Sequence, residues 1–72
     1  MKLHYYPETD SLYIDLADAA STDSEEVRPG IVLDFDADGR LVGIDIDNAS
    51  SVVNLGRLDL EELPVRAIAV AP

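Results

Sequence analysis

Asp34, Asp36, Asp38, Gly39 and Asp45 stand at positions 1, 3, 5, 6 and 12 of a calcium-loop pattern. A hard dication gathers several carboxylate oxygens, and alternate aspartates leading into a glycine turn are one way to supply them. The flanks decide against an EF-hand, which needs helices on both sides. Ile31/Leu33/Phe35 and Val42/Ile44/Ile46 alternate instead with polar or small residues, as half-buried strands do. Asp45 is also a methylene shorter than the bidentate Glu usual at position 12. On strands, Asp34 and Asp36 project opposite Leu33 and Asp45 points the same way, so a carboxylate cluster remains geometrically open. Turn chemistry and solvent-facing acids account for the pattern more simply. The sequence therefore predicts no metal and no cofactor, with Asp34, Asp36, Asp38 and Asp45 as the cation candidates to check.

Catalytic chemistry has weaker footing. His4 is the lone histidine, on a strand position beside Tyr6. A Ser–His–acid site would draw on Ser11, Ser21, Ser24, Ser50 or Ser51, none of which sits in a strained nucleophile turn. No glycine-rich loop offers a phosphate cradle. The expectation is a protein that is not an enzyme. A better prospect is the sheet face opposite the apolar one, where Tyr6, Tyr13, Val32 and Leu41 alternate among His4, Asp15 and Asp34. Tyrosines and aliphatics set among polar groups are the composition of an interface.

The chain around these residues is small and acidic. Seventy-two residues with no cysteine cannot use disulfides or a thiolate metal site as staples. A homodimer, formed through that outer face or through the Val65–Val70 segment, is the expected means of adding buried surface. Fifteen Asp and Glu against five Lys and Arg give a net charge of −10. That excludes nucleic acid and anionic membranes as direct partners and favours a basic protein or a cation. The N-terminal residues lack a secretory pattern, and no apolar run approaches the roughly 20 residues of a membrane span, so a cytoplasmic location is expected.

Face-matching sets the elements. Met1–Tyr6 and Leu12–Leu16 form a hairpin around Pro7–Asp10, with Tyr5 opposite Leu12 and Leu3 opposite Ile14; a one-residue slip would mix the faces. Ala17–Glu26 reads as a mobile acidic loop. A third strand begins near Val27, with Pro29-Gly30 marking an edge, a bulge or a late start before Ile31–Phe35. In the next hairpin a two-residue tip at Ala37-Asp38 sets Leu33 opposite Val42 and Ile31 opposite Ile44. A three-residue loop would set Ile31 against Asp45. Asp47 or Asn48 caps a helix from Ala49, Asp59 caps a second turn at Leu60–Leu63, and the alternation of Val65–Val70 permits a fifth strand. The predicted fold is α+β: a small antiparallel β-meander of about four strands with a C-terminal helical segment on one face. Residues 1–72 form one domain, with the core in 1–63 and the tail 64–72 left open.

The runs YPETDSLYIDL (Tyr6–Leu16) and EEVRPGIVLDFDADGRLVGIDI (Glu25–Ile46), with Ala49-Ser50, resemble the bacterial and archaeal domain of unknown function 2283 family. Its pattern is similar to a Tyr-Asp-Pro-Glu-x-Asp-x-Leu-Tyr-Ile start, a Pro-Gly-Val-x-Leu-Asp-Tyr-Asp middle and a Gly-Ile-Glu-Ile-x-x-Ala-Ser end. Asp34, Asp36, Gly39 and Gly43 match it. Tyr6 stands where the family usually has Asp, Asp45 where it has Glu, and Leu60–Pro72 has no counterpart. The resemblance implies a small cytosolic single domain with no assigned activity and no catalytic residues to carry over. It also implies small, basic, toxin-like partners, and hence an antitoxin-like role. Two other functions stay open: a divalent-cation or small-ligand domain using the acidic hairpin, and a purely structural homo-oligomer.

Overall fold

The strongest alternation in the chain makes its first hairpin. β1 (Lys2–Tyr6) and β2 (Ser11–Asp15) pair antiparallel in the face-matched register, Tyr5 opposite Leu12, Leu3 opposite Ile14 and His4 opposite Tyr13. The connection closes with Asp10 in the left-handed region at φ 53, which Asp tolerates better than most side chains. In the computed structural model, which describes residues 1–72, three further strands follow: β3 (Asp23–Arg28), β4 (Ile31–Phe35) and β5 (Leu41–Ile46). One antiparallel sheet results, ordered β1-β2-β5-β4-β3, and one four-residue helical turn, α1 (Ala49–Val52), comes after it.

This architecture is mostly β, and it corrects the four-stranded meander with a packed helix. β3–β4–β5 is a meander, but the first hairpin joins it through β2 against β5. β3 occupies much of the acidic stretch expected to be a loop. Asp, Ser and Glu have low strand propensity, but an edge strand needs only one ladder and no apolar face, and acids on an edge discourage sheet-to-sheet pairing. Pro29-Gly30 is the turn between β3 and β4, with Gly30 at φ 81 as a type II turn requires, and a bulge at Val27 precedes it.

The β4–β5 hairpin also departs from expectation. Its tip holds three residues, Ala37 to Gly39: the Asp36 N–H donates to Arg40 O at 2.9 Å and the Gly39 N–H to Asp36 O at 3.0 Å. That loop alone would turn the faces over. A β-bulge at Val42 adds a second extra residue, so Leu33 meets Ile44 and Ile31 meets Ile46. Two one-residue shifts restore the parity, and Ile31, Leu33, Ile44 and Ile46 share a face with Leu12 and Ile14, as the alternation requires.

Coverage of that face is thin. Val42, Ile46 and Ala49 are the buried apolar residues, Gly43 is buried with them, and Leu12, Ile14, Ile31, Leu33 and Phe35 are half-buried. α1 is a single turn, with Val53 extended immediately after it. Leu60–Leu63 forms no helix and Val65–Val70 no strand; both segments are exposed. A single capped turn needs a docking surface to persist, and Leu60, Leu63, Ile68 and Val70 stand away from the sheet in water.

Candidate functional site

Gly43 lets the outer face of the sheet form its best-defined cluster. It lies between Asp15 on β2 and Asp34 on β4. A Cβ built on Gly43 would overlap the Tyr13 hydroxyl, so the bare backbone is the space the tyrosine ring occupies. Crossing it, the Tyr13 hydroxyl donates to Asp34 Oδ2 at 2.7 Å, and the Ser24 hydroxyl on β3 donates to Asp34 Oδ1 at 2.7 Å. One carboxylate thus ties β2, β4 and β3 together across the sheet. Its hydrogen bond, with burial and then the charges of Asp34, Asp15 and Asp45, pushes the Tyr13 hydroxyl up to about 12. That tyrosine is held as a donor and is a poor base at neutral pH.

The same chemistry recurs at the far end of the first hairpin. Asp10 accepts the Tyr5 hydroxyl at 2.8 Å, the Ser50 hydroxyl at 2.6 Å and the Ser50 N–H at 3.1 Å, while its carbonyl accepts the Ala49 N–H at 2.9 Å. The Ser50 hydroxyl, then Tyr5, holds the Asp10 carboxyl below its ordinary range. Asp10, not Asp47 or Asn48, therefore caps α1. Asn48 sits in the left-handed region at φ 52 without a side-chain cap bond. The cap comes from 40 residues earlier in the chain, where no local capping pattern could announce it.

The four cation candidates do not converge, and Asp38 stands exposed at the hairpin tip. Asp34 is spent on two hydroxyls. Asp36 Oδ1 accepts the N–H groups of Asp38 and Arg40, both at 2.9 Å, which is turn chemistry. Asp45 faces outward between Tyr13 and Val32, and desolvation, then the charges of Asp47 and Asp34, raises its carboxyl. No group of three or more acids and histidines is arranged to hold a metal ion. His4 tilts against Tyr6 with ring centroids 4.3 Å apart.

Of the interface candidates, Tyr6, Tyr13 and Val32 share the outer face with His4 and Asp45. Leu41 does not. The bulge sets it opposite Phe35, on the apolar side, because the extra residue at Val42 inverts the alternation beyond it. The Tyr5–Asp10–Ser50 cluster escaped the sequence reading; a Tyr before the hairpin and a Ser after Ala49 were its only traces.

No helix is long and apolar enough to cross a membrane. No curated protein and no solved structure matches the chain. A family model described as a protein of unknown function (DUF2283) matches residues 2–50, which span all five strands and reach Asp10's partner Ser50. The chain belongs to the DUF2283 family.

Proposed function

We propose that this chain is a non-enzymatic, cytoplasmic interaction module whose acidic outer face receives a small basic protein, in an antitoxin-like manner. The observation that carries this reading is the shortage of internal countercharge. Of the fifteen Asp and Glu, only Asp59 is ion-paired, with the exposed Arg57 at 3.0 Å. On the outer face Asp15, Asp34, Asp45 and Glu26 lie in adjacent rows, with Lys2 as their one neighbouring lysine. The raised carboxyl of Asp45 reflects burial and crowding by like charge. An arriving Lys or Arg would relieve that crowding and gain long-range attraction.

The non-enzymatic reading rests on hydroxyls already committed: Tyr13 and Ser24 share the one Asp34 carboxylate, and neither hydrogen-bonds His4, the lone histidine. The test is affinity purification from native cells at low salt, followed by identification of what co-elutes. A basic protein is expected, released at 1 M salt, where the Debye length falls to about 3 Å, and held less well by Asp15→Asn/Asp45→Asn. Recovery of no basic protein, or of one indifferent to salt and to that variant, refutes the reading.

A further inference from the structure

The opposite face of the sheet presents a different problem. A folded monomer of 7.8 kDa is expected to expose about 4,400 Å², whereas this chain exposes 5932 Å². The excess is roughly 1,500 Å² by the same scaling, and thirteen large apolar side chains stand exposed. An open groove of about 350 Å³ lies between the first hairpin and the segment after α1, lined chiefly by Leu3, Tyr5, Leu12, Val53, Leu55 and Leu58. Beyond it an arm runs to the C-terminus with Leu60, Leu63, Val65, Ile68 and Val70 between 44% and 94% exposed. Its backbone is equally unpartnered: past Arg57, Val65 N–H to Leu63 O is the only backbone–backbone hydrogen bond.

We infer that a second copy of this chain covers the apolar face, each copy laying its Leu58–Val70 arm across the other's groove about a two-fold axis. Charge selects this occupant. The groove is lined by no acid and includes Arg57, so a basic segment gains nothing there. The Leu58–Val70 arm holds Arg66 against Asp59, Glu61 and Glu62, a net −2, so an apolar and mildly acidic arm meets a groove whose one charged residue is Arg57. Apposing the apolar faces also keeps the acidic outer faces of the two copies as far apart as the sheets allow. Area agrees. If each copy covers its excess, the contact totals about 3,000 Å², within the roughly 2,000–5,000 Å² of obligate homodimers. Reciprocal use of one groove and one arm is the self-complementary contact a two-fold axis demands.

The test is sedimentation equilibrium of the full chain from micromolar to millimolar concentration at 0.05 M and 1 M salt. A dimer is expected that persists or tightens at 1 M salt, because screening weakens repulsion between two acidic chains; a contact with a basic partner responds in the opposite sense. Leu3→Asp in the groove and Ile68→Asp in the arm should each raise the dimer Kd tenfold or more. Ile68 stands 69% exposed and outside every strand, so its variant keeps the strand circular dichroism of the parent. A monomer at millimolar concentration overturns the inference. So does a Kd changed less than tenfold by either variant. Neither result bears on capture of a basic protein by the outer face.

Discussion

Gly43→Ala adds one methyl group at the point where the Tyr13 side chain crosses β5. The new Cβ would overlap the tyrosine oxygen and lie 2.6 Å from its ring carbon Cζ, so the ring must swing away. Doing so breaks the 2.7 Å hydrogen bond to Asp34. A bond to a charged acceptor contributes about 1.5–3 kcal/mol, and partial exposure places this one at the lower end. Crowding adds about 1–3 kcal/mol, offset by about 0.5–1 kcal/mol from replacing a strand glycine. The net expectation is a loss of about 2 kcal/mol, near 10 °C in Tm for a chain of this size.

Urea unfolding followed by circular dichroism, at one fixed protein concentration, measures it. The control is the same substitution in a Tyr13→Ala background. There the methyl meets no ring, and Gly43→Ala should be neutral or stabilise by up to about 1 kcal/mol. The coupling between the two sites should therefore be about 2–3 kcal/mol. If Gly43→Ala costs the same in both backgrounds to within about 0.5 kcal/mol, the tyrosine does not occupy the space over Gly43 and the outer-face cluster is wrong.

Because folding raises the Tyr13 hydroxyl, its neutral form is favoured in the native state. That stability is complete below the ordinary tyrosine value of about 10 and is lost as pH rises toward about 12, a window that ultraviolet tyrosinate titration and urea midpoints should both trace and that Tyr13→Phe should abolish. Asp10 behaves oppositely: its lowered carboxyl contributes stability above the ordinary aspartate range that is lost on acidification, and Asp10→Ala should strip hydrogen-exchange protection from the Ser50 amide. Gly39→Ala, in open space but at φ 79, should cost about 1–2 kcal/mol through backbone strain alone, read as a urea midpoint shift without a change in slope. Asp45→Asn should raise the midpoint at pH 7, since folding raises that carboxyl and its charged form therefore opposes folding.

Parity explains what the sequence could and could not disclose. Around Pro7–Asp10 one loop length satisfied both faces, so residue partners as well as faces were readable. Around Ala37–Gly39 the alternation fixed only whether the total offset was even, and a longer loop plus a bulge is as even as a tight turn. From Ile31 to Asp34 and from Gly43 to Ile46 the faces came out right and the partners two residues out, while Leu41, beyond the bulge, changed face. β3 carries no apolar alternation because its single neighbour supplies its hydrogen bonds, so an acidic edge strand is silent to a periodicity argument. Asp34, Tyr13 and Gly43 were each visible as residue types on one face; that a glycine row would let the tyrosine reach the carboxylate depends on the register that parity left open.

The two faces of this sheet also constrain each other. A five-stranded layer with one helical turn cannot bury a face by itself, and only Val42, Gly43, Ile46 and Ala49 are buried. Were both faces apolar, association would have no preferred direction and the sheet would stack without limit. Placing Asp15, Asp34, Asp45 and Glu26 on one side makes that side repel its own copy. In the dimer inferred above the copies meet on the apolar side, and the like-charged outer faces stop assembly at two. The same acids, left outermost, are what a basic protein would encounter first. Closure of the dimer inferred above and attraction of the partner proposed above would thus both follow from one alternation, which sets Asp15, Asp34, Asp45 and Glu26 on the face opposite Leu33, Ile44 and Ile46.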